Sequence, residues 1–334
     1  MTSLKDVAKY TGISVSTISR VLSNKNYVKE HTRKKVLEAV RLLNYSPNIM
    51  AQSLKKGRSN TIALLIPSIQ NMIFTEVTRG VEDTARKNGY MVILCNTDES
   101  IEIEKSYIST LRPRLIDGFI IASSIPHSIH IQQLRNENFP VVLACRVYDN
   151  SIDAVVSNNK TAAYEAVKYL IERGHRKIAI TLGDTQLVLY SDRYKGYLQA
   201  LEENNINLDE KLVIRQRSNI SSFYNLTKSM LENGIIPDAV FSTTDAQAIT
   251  VMRAIFDCGF RVPDDISVVG FDNVEISALV EPPLSTVSQP LYKMGVLAAE
   301  KLIYQIDYKE KYGVLDEPLV DIVETNLLIR KSTR

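Results

Sequence analysis

The sequence predicts an α/β protein of two unequal parts: an N-terminal all-α helix-turn-helix head and a larger core of parallel sheets sheathed by helices. Up to residue 46 the apolar residues repeat at helical spacing in three short segments, and beyond residue 60 continuous apolar runs alternate with amphipathic stretches. The two parts also differ in charge. Residues 1–60 hold 12 Lys+Arg against 3 Asp+Glu, a net of +9, while the remainder holds 28 against 35, a net of −7. A polyanion is the natural partner of such a head, and a solvated basic face is the bland alternative.

In the head, Leu4, Val7, Ala8 and Thr11 fall on one side of a first helix, with Lys5 and Lys9 on the other. Gly12 stops this helix and permits a tight turn. Ser14 is placed to cap a second helix that runs to about Leu22 or Ser23. At 100° per residue, Ile18, Val21 and Leu22 share its buried face, and Val15, Ser16, Ser19 and Arg20 its exposed one. A third helix, from about Lys29 or Thr32 to Asn44, buries Val36, Ala39, Val40 and Leu43 and presents Arg33, Lys34, Lys35 and Arg41. In a unit of this kind the second helix enters the major groove of DNA. Val15, Ser16 and Arg20 are the candidates for reading bases, since Arg can donate twice to guanine and small side chains can meet base edges. Ser3, Thr17, Asn24, Tyr27 and Thr32 are placed for phosphate oxygens, which fix register without reading sequence.

In the body, TIALLIP, YMVILCN, DGFIIAS, PVVLAC, KIAITL, DAVFST and ISVVGFD read as buried parallel strands. Helical stretches lie between them at about 73–88, 102–112, 161–173, 191–204, 222–233 and 246–258. That alternation describes sheets covered on both faces.

Other classes find little support. No apolar run approaches the roughly 18 residues of a membrane span, and the polar N-terminus lacks a signal core, so a cytoplasmic protein is expected. No GxSxG, GxxxxGK[ST] or HExxH occurs, which argues against an enzyme. No cofactor is implied. His127 and His130 have i,i+3 spacing without a third ligand, so a solvated helix face outweighs a metal site. His175 reads as a structural residue at a helix end. Cys95, Cys145 and Cys258 are widely separated and read as buried reduced thiols.

The runs LKDVAKYTGISVSTISRVLSN and TRKKVLEAVRLLNYSPNIMAQSL resemble the head of the LacI/GalR family of bacterial repressors. The likeness continues through NKTAAYEAVKYLIERGHRKIA, DRYKGYLQAL and VPDDISVVGFDNVEISALVEPPLSTVSQP, and so covers nearly the whole chain. It implies a helix-turn-helix domain at 1–46 and a hinge helix with linker at 47–60. Residues 61–334 would form an effector-binding and dimerisation core, two-lobed like the periplasmic sugar-binding proteins. One lobe would take about 61–160 and 291–322, the other about 161–290 and 323–334. The resemblance also implies that the segment from Pro47 to Leu54 folds on operator DNA, with Asn48, Ala51 and Leu54 at the minor groove and Leu54 as the wedge that kinks the duplex. Too little apolar surface is available to hold so short a helix in water by itself.

For the cleft, the resemblance implies Arg193 and Asp272 as effector contacts, followed by Arg146, Asn71 and Phe74. Several positions depart from sugar-responsive relatives: Ile73, Leu189, Ile220, Cys145 and Thr244 replace residues that there are aromatic, hydroxylated, acidic or amide-bearing. An effector less polar than a free sugar, or an anion such as a sugar acid or sugar phosphate held by Arg146 and Arg193, fits those departures. Lys293 and Glu300 reverse the charges that the catabolite-control branch uses for its phosphorylated carrier-protein partner. The expected protein is a homodimer on palindromic double-stranded operator DNA, controlled by a small-molecule effector. The rival for residues 61–334 alone is the solute receptor of a transport system.

Overall fold

The structure, a computed structural model, describes residues 3–22, 28–45, 58–113, 116–123, 128–147, 150–216 and 220–334. The chain forms two units, Met1–Ser59 and Asn60–Arg334. Asn24, Tyr27, Asn48, Ala51, Leu54 and His127 lie outside the described residues.

Among the described residues the first unit holds three helices, α1 (Leu4–Thr11), α2 (Val15–Leu22) and α3 (Glu30–Leu42). Ser3 and Asp6 form a reciprocal cap on α1, with the Ser3 amide donating to Asp6 at 2.8 Å and the Asp6 amide to the Ser3 hydroxyl at 3.3 Å. Those hydrogen bonds lower the Asp6 pKa. Gly12 ends α1 at φ 69°, a conformation that strains any residue with a side chain. Val7, Ile18 and Val36 are completely buried, with Val21, Ala39 and Tyr45 around them. Each large aliphatic side chain so placed contributes about 1.5–3 kcal/mol. Arg33, expected in solvent, is half-buried, while Lys34, Lys35 and Arg41 are exposed.

The second unit opens with β1 (Thr61–Ile66), α4 (Ile73–Lys87), β2 (Met91–Asn96), α5 (Ile101–Leu111), β3 (Gly118–Ile121), α6 (Ile129–Asn136), β4 (Val141–Ala144) and β5 (Asp153–Ser157). It continues with α7 (Asn159–Glu172), β6 (Ile178–Leu182), α8 (Val188–Glu203), β7 (Val213–Arg215), α9 (Ile220–Glu232), β8 (Ala239–Ser242), α10 (Asp245–Asp257), β9 (Ser267–Asp272) and β10 (Ser285–Ser288). Last come α11 (Leu291–Tyr312), β11 (Val320–Val323) and β12 (Asn326–Leu328). The strands make two six-stranded sheets, ordered β11-β5-β4-β3-β1-β2 and β12-β10-β9-β8-β6-β7. All pairings are parallel except β10 with β12.

Seven of these strands coincide with the apolar runs. The other five, β5, β7, β10, β11 and β12, are short and each carries a polar residue at an end or within, as in the Ser-Thr-Val-Ser of β10. Their partners, more than their own apolar content, make them strands. In the first sheet Ile62, Leu64 and Val155 pack under α4 and α11 on one face, and Leu65, Phe119 and Leu143 under α5 and α6 on the other. Helices α4 and α11 meet at backbone distance. A Cβ on Gly295 would fall 2.1 Å from the Val77 carbonyl oxygen, and one on Gly80 would fall 2.2 Å from that of Tyr292.

The chain passes between the sheets three times: after β5, after β10 and after β11. The crossings are tied side to side. Asn158 donates to Glu324 at 2.6 Å and accepts from Thr325 at 2.8 Å, and its amide bonds the Val323 carbonyl at 3.2 Å.

Two sequence expectations fail here. His130 is not on a solvated face: its Nε2 lies 2.6 Å from the buried Glu104, which also accepts from Ser123. Of the three free cysteines only Cys95 is fully buried. Burial pushes its thiol up to about 11. Among the described residues no cluster of metal-ligating side chains forms, and no helix is long and apolar enough to cross a membrane.

Candidate nucleic-acid interface and cleft site

On α2 the pattern of burial divides the helix lengthwise. Ile18 and Val21 face the core at 0% and 3% exposure, whereas Val15 is 42% exposed and Ser16 and Arg20 lie open beside it. Thr17 and Ser19 are half-buried at the edges of that face. Ser14 anchors the start of α2: its hydroxyl accepts from the Thr17 amide at 3.3 Å and lies 3.0 Å from Ser16 Oγ and 2.9 Å from Thr17 Oγ1. Among the described residues Arg20 makes no ion pair. It lies exposed on that face. Ser3 is committed to its cap, donating its hydroxyl to Asp6 at 2.7 Å, and Thr32 is half-buried at the start of α3.

The cleft site gathers at the carboxyl ends of parallel strands, where such folds place their ligands. Asp272 is the last residue of β9, and Arg193 projects from the second turn of α8. Both are 4% exposed. Arg193 Nη1 lies 3.6 Å from Asp272 Oδ1 and donates to the Thr243 carbonyl, Nε donates to Asn159 Oδ1 at 2.8 Å, and the guanidinium sits 3.5 Å from the centroid of the Phe271 ring. Burial raises the Asp272 pKa, Arg193 opposes that rise and Asp245 adds to it. Burial correspondingly lowers Arg193, with Asp272 opposing.

A second carboxylate holds the turn that presents Asp272. Asp272 and Asn273 have φ of 122° and 60°. Asp245, fully buried, accepts from the Val274 amide at 2.9 Å and the Thr286 hydroxyl at 2.5 Å. Gly270 makes room for it, since a Cβ there would fall 2.3 Å from Asp245 Oδ1. Burial raises Asp245 as well.

Arg146 follows β4 in the other lobe and is engaged by Glu99, which accepts from Nη1 at 2.8 Å and Nη2 at 2.7 Å. Tyr190, half-buried near the start of α8, feels the charges of Arg193, Arg146, Asp272 and Glu99. Burial raises its pKa, with both arginines opposing. Cys145, also beside these charges, is pushed up to about 12, first by burial, and stays a thiol. Asn71 is exposed and its Oδ1 accepts from the Ile73 amide at 3.3 Å. Phe74, expected at the cleft, is 2% exposed and belongs to the core of its lobe with Val77 and Met294.

The structure thus joins Arg193 with Asp272 and ties Arg146 to Glu99. It adds Asn159, Asp245, Glu99, Tyr190 and Gln289, whose Nε2 donates to Asp272 Oδ1 at 2.7 Å, all of which sequence reasoning missed. Asn159, Asp245 and Gln289 stand one or a few residues past a strand's carboxyl end, a position that marks such residues even before the fold is known.

Fold and sites together define a helix-turn-helix regulator with a two-lobed ligand-binding body. Residues 3–48 match the family described as bacterial regulatory proteins, lacI family, and residues 59–318 match periplasmic binding proteins and sugar binding domain of LacI family. The chain belongs to the LacI family and is a transcriptional regulator. It is 37% identical to a ribose operon repressor of Halalkalibacterium halodurans, over 100% of this chain and 98% of the relative. It is 35% identical to the repressor PurR of Vibrio atlanticus, over 97% and 98%. Among solved structures, the Lac repressor dimer bound to operator and the anti-inducer ONPF matches with a TM-score of 0.88 at 28% identity, over 99% of each chain. A LacI-family regulator of Enterococcus faecium with bound ribose matches with a TM-score of 0.71 at 28% identity, over 82% of this chain and 98% of that one.

Proposed function

We propose that the protein is a cytoplasmic homodimer that binds palindromic operator DNA through the exposed face of α2, represses a carbohydrate-related operon, and is controlled by an uncharged sugar in the cleft. It acts by binding and not by catalysis. Val15, Ser16 and Arg20 read bases, and the hinge residues Asn48, Ala51 and Leu54 enter the minor groove with Leu54 as the wedge. Dimerisation follows from information content, because one recognition helix reads only a few base pairs and two heads a helical turn apart multiply that readout.

One observation carries the choice of effector: the charges of the cleft are already paired. Arg146 is occupied bidentately by Glu99, and Arg193 faces Asp272. An anion would bring a second negative charge against the buried Asp272, a costly arrangement in a poorly hydrated site. Adjacent hydroxyls suit the site better, one donating to Asp272 and one accepting from Arg193. The ribose-bound relative supports this reading, and the match of both head and body to regulators disfavours a transport receptor.

Selection of binding sites from random duplex DNA, coupled to a thermal-shift panel of neutral sugars, sugar acids and sugar phosphates, tests the proposal. A palindromic consensus and stabilisation by a neutral sugar are expected. Sequence-independent DNA binding, or stabilisation by phosphates alone, would contradict it.

A further inference from the structure

Gln289 lies in the second crossing between the lobes, immediately after β10. Its Nε2 donates to Asp272 Oδ1 at 2.7 Å, and its Oε1 accepts from the Ser157 hydroxyl at 2.6 Å. Ser157 is the buried last residue of β5, at the head of the first crossing. The next residue, Asn158, bonds Glu324 and Thr325 of the third crossing. A path therefore runs from the carboxylate of the cleft through the side chains of Gln289 and Ser157, along the backbone to Asn158, and so to all three connections between the lobes.

We propose that Gln289 is the positioning residue that couples occupancy of the cleft to the crossings. The inference rests on the reading of Asp272 as the effector-binding carboxylate. Oδ1, the oxygen that faces Arg193, is also the one that accepts from Gln289. A ligand hydroxyl donating to that oxygen competes directly with Nε2, whose amide then turns away. Oε1 and Nε2 belong to one planar amide, so a turn about the Cγ–Cδ bond that takes Nε2 from Asp272 carries Oε1 away from Ser157 as well. Occupancy thus loosens the first crossing at Ser157 and, through Asn158, its join to the third. A purely structural glutamine would hold the same contacts with or without ligand.

The test is hydrogen–deuterium exchange on the full-length protein, with the Asn158 amide, bonded to the Val323 carbonyl at 3.2 Å, as reporter. Without ligand, Gln289→Leu and Ser157→Ala should each speed exchange at Asn158 by about two- to ten-fold, the factor that one neutral hydrogen bond supports. Amides of β8, remote from the crossings in sequence, should keep their rates, which also shows that the variants are folded. Unchanged exchange at Asn158 in both variants would overturn the proposal whatever any sugar does. With D-ribose as probe, the wild type should show faster exchange at Asn158, and Gln289→Leu should bind ribose with no further change there. An equal ribose response in the variant would also overturn it. Absence of ribose binding to the wild type would count against ribose as the effector, and the comparison of wild type with Gln289→Leu would then be made with the neutral sugar that stabilises the wild type in thermal shift, an equal response again overturning the proposal.

Discussion

Replacing Arg193 with methionine removes the counter-charge of Asp272 while keeping most of the side-chain bulk. In the native protein the guanidinium lies 3.6 Å from Asp272, with each residue 4% exposed, and it also bonds Asn159 at 2.8 Å. Breaking a buried pair by removing one member costs about 3–5 kcal/mol, chiefly because the remaining charge is left poorly solvated. The double variant Arg193→Met/Asp272→Leu should therefore be more stable than the sum of the two single losses, by about 0.5–3 kcal/mol. The assay is urea unfolding followed by circular dichroism at pH 7 and pH 5. Since burial raises the Asp272 pKa, the folded state binds this proton more tightly than the unfolded chain, whose value is about 3.9. Stability from this group is thus greatest in acid and is lost as pH climbs from that unfolded value through the raised folded one. Without Arg193 the folded value moves higher still, so the loss caused by Arg193→Met should be smaller at pH 5 than at pH 7. Additive single losses that are equal at both pH values would refute the reasoning.

On α2, Arg20→Ala should cost about 1–3 kcal/mol of discrimination between operator and mutated operator, measured by competition binding. Uniform weakening on all DNA would make Arg20 a phosphate contact. Ile18→Ala, at a fully buried position, should destabilise the head by about 2–5 kcal/mol and abolish DNA binding, while D-ribose binding by the body persists. Gly295→Ala places a methyl group 2.1 Å from the Val77 carbonyl, and calorimetry should show a loss of about 1–3 kcal/mol. Glu99→Gln uncovers Arg146, so phosphate or a sugar phosphate should stabilise that variant in thermal shift more than it does the parent; equal shifts would contradict the pairing seen in the cleft.

Much of the head was legible because its helices carry their own signals. Gly12 ends α1, Ser14 opens α2, and the spacing of Ile18 and Val21 fixes which face is buried. The apolar strands were legible for a related reason, since a run such as Thr61–Ile66 is buried at every residue. Strands such as β10 and β12 were not, because neither contains enough apolar residues to stand apart from a loop. At the cleft, resemblance pointed to Arg193 and Asp272, but pairing is a property of three dimensions. Nothing local shows that Glu99, 47 residues before Arg146, satisfies it, or that Gln289 reaches Ser157 across 132 residues. Phe74 went to the core for a comparable reason: its position follows the first strand, yet the helix phase of α4 turns it toward Val77.

We propose that a neutral sugar held by Arg193 and Asp272 controls DNA binding by the head. The most direct test is the affinity of the full-length protein for its selected operator across a panel of neutral monosaccharides, in parent and Arg193→Met proteins. A change of about 5- to 150-fold with one sugar in the parent, and none in the variant, is expected. Operator affinity indifferent to every neutral sugar, or a response that survives loss of Arg193, would contradict the account.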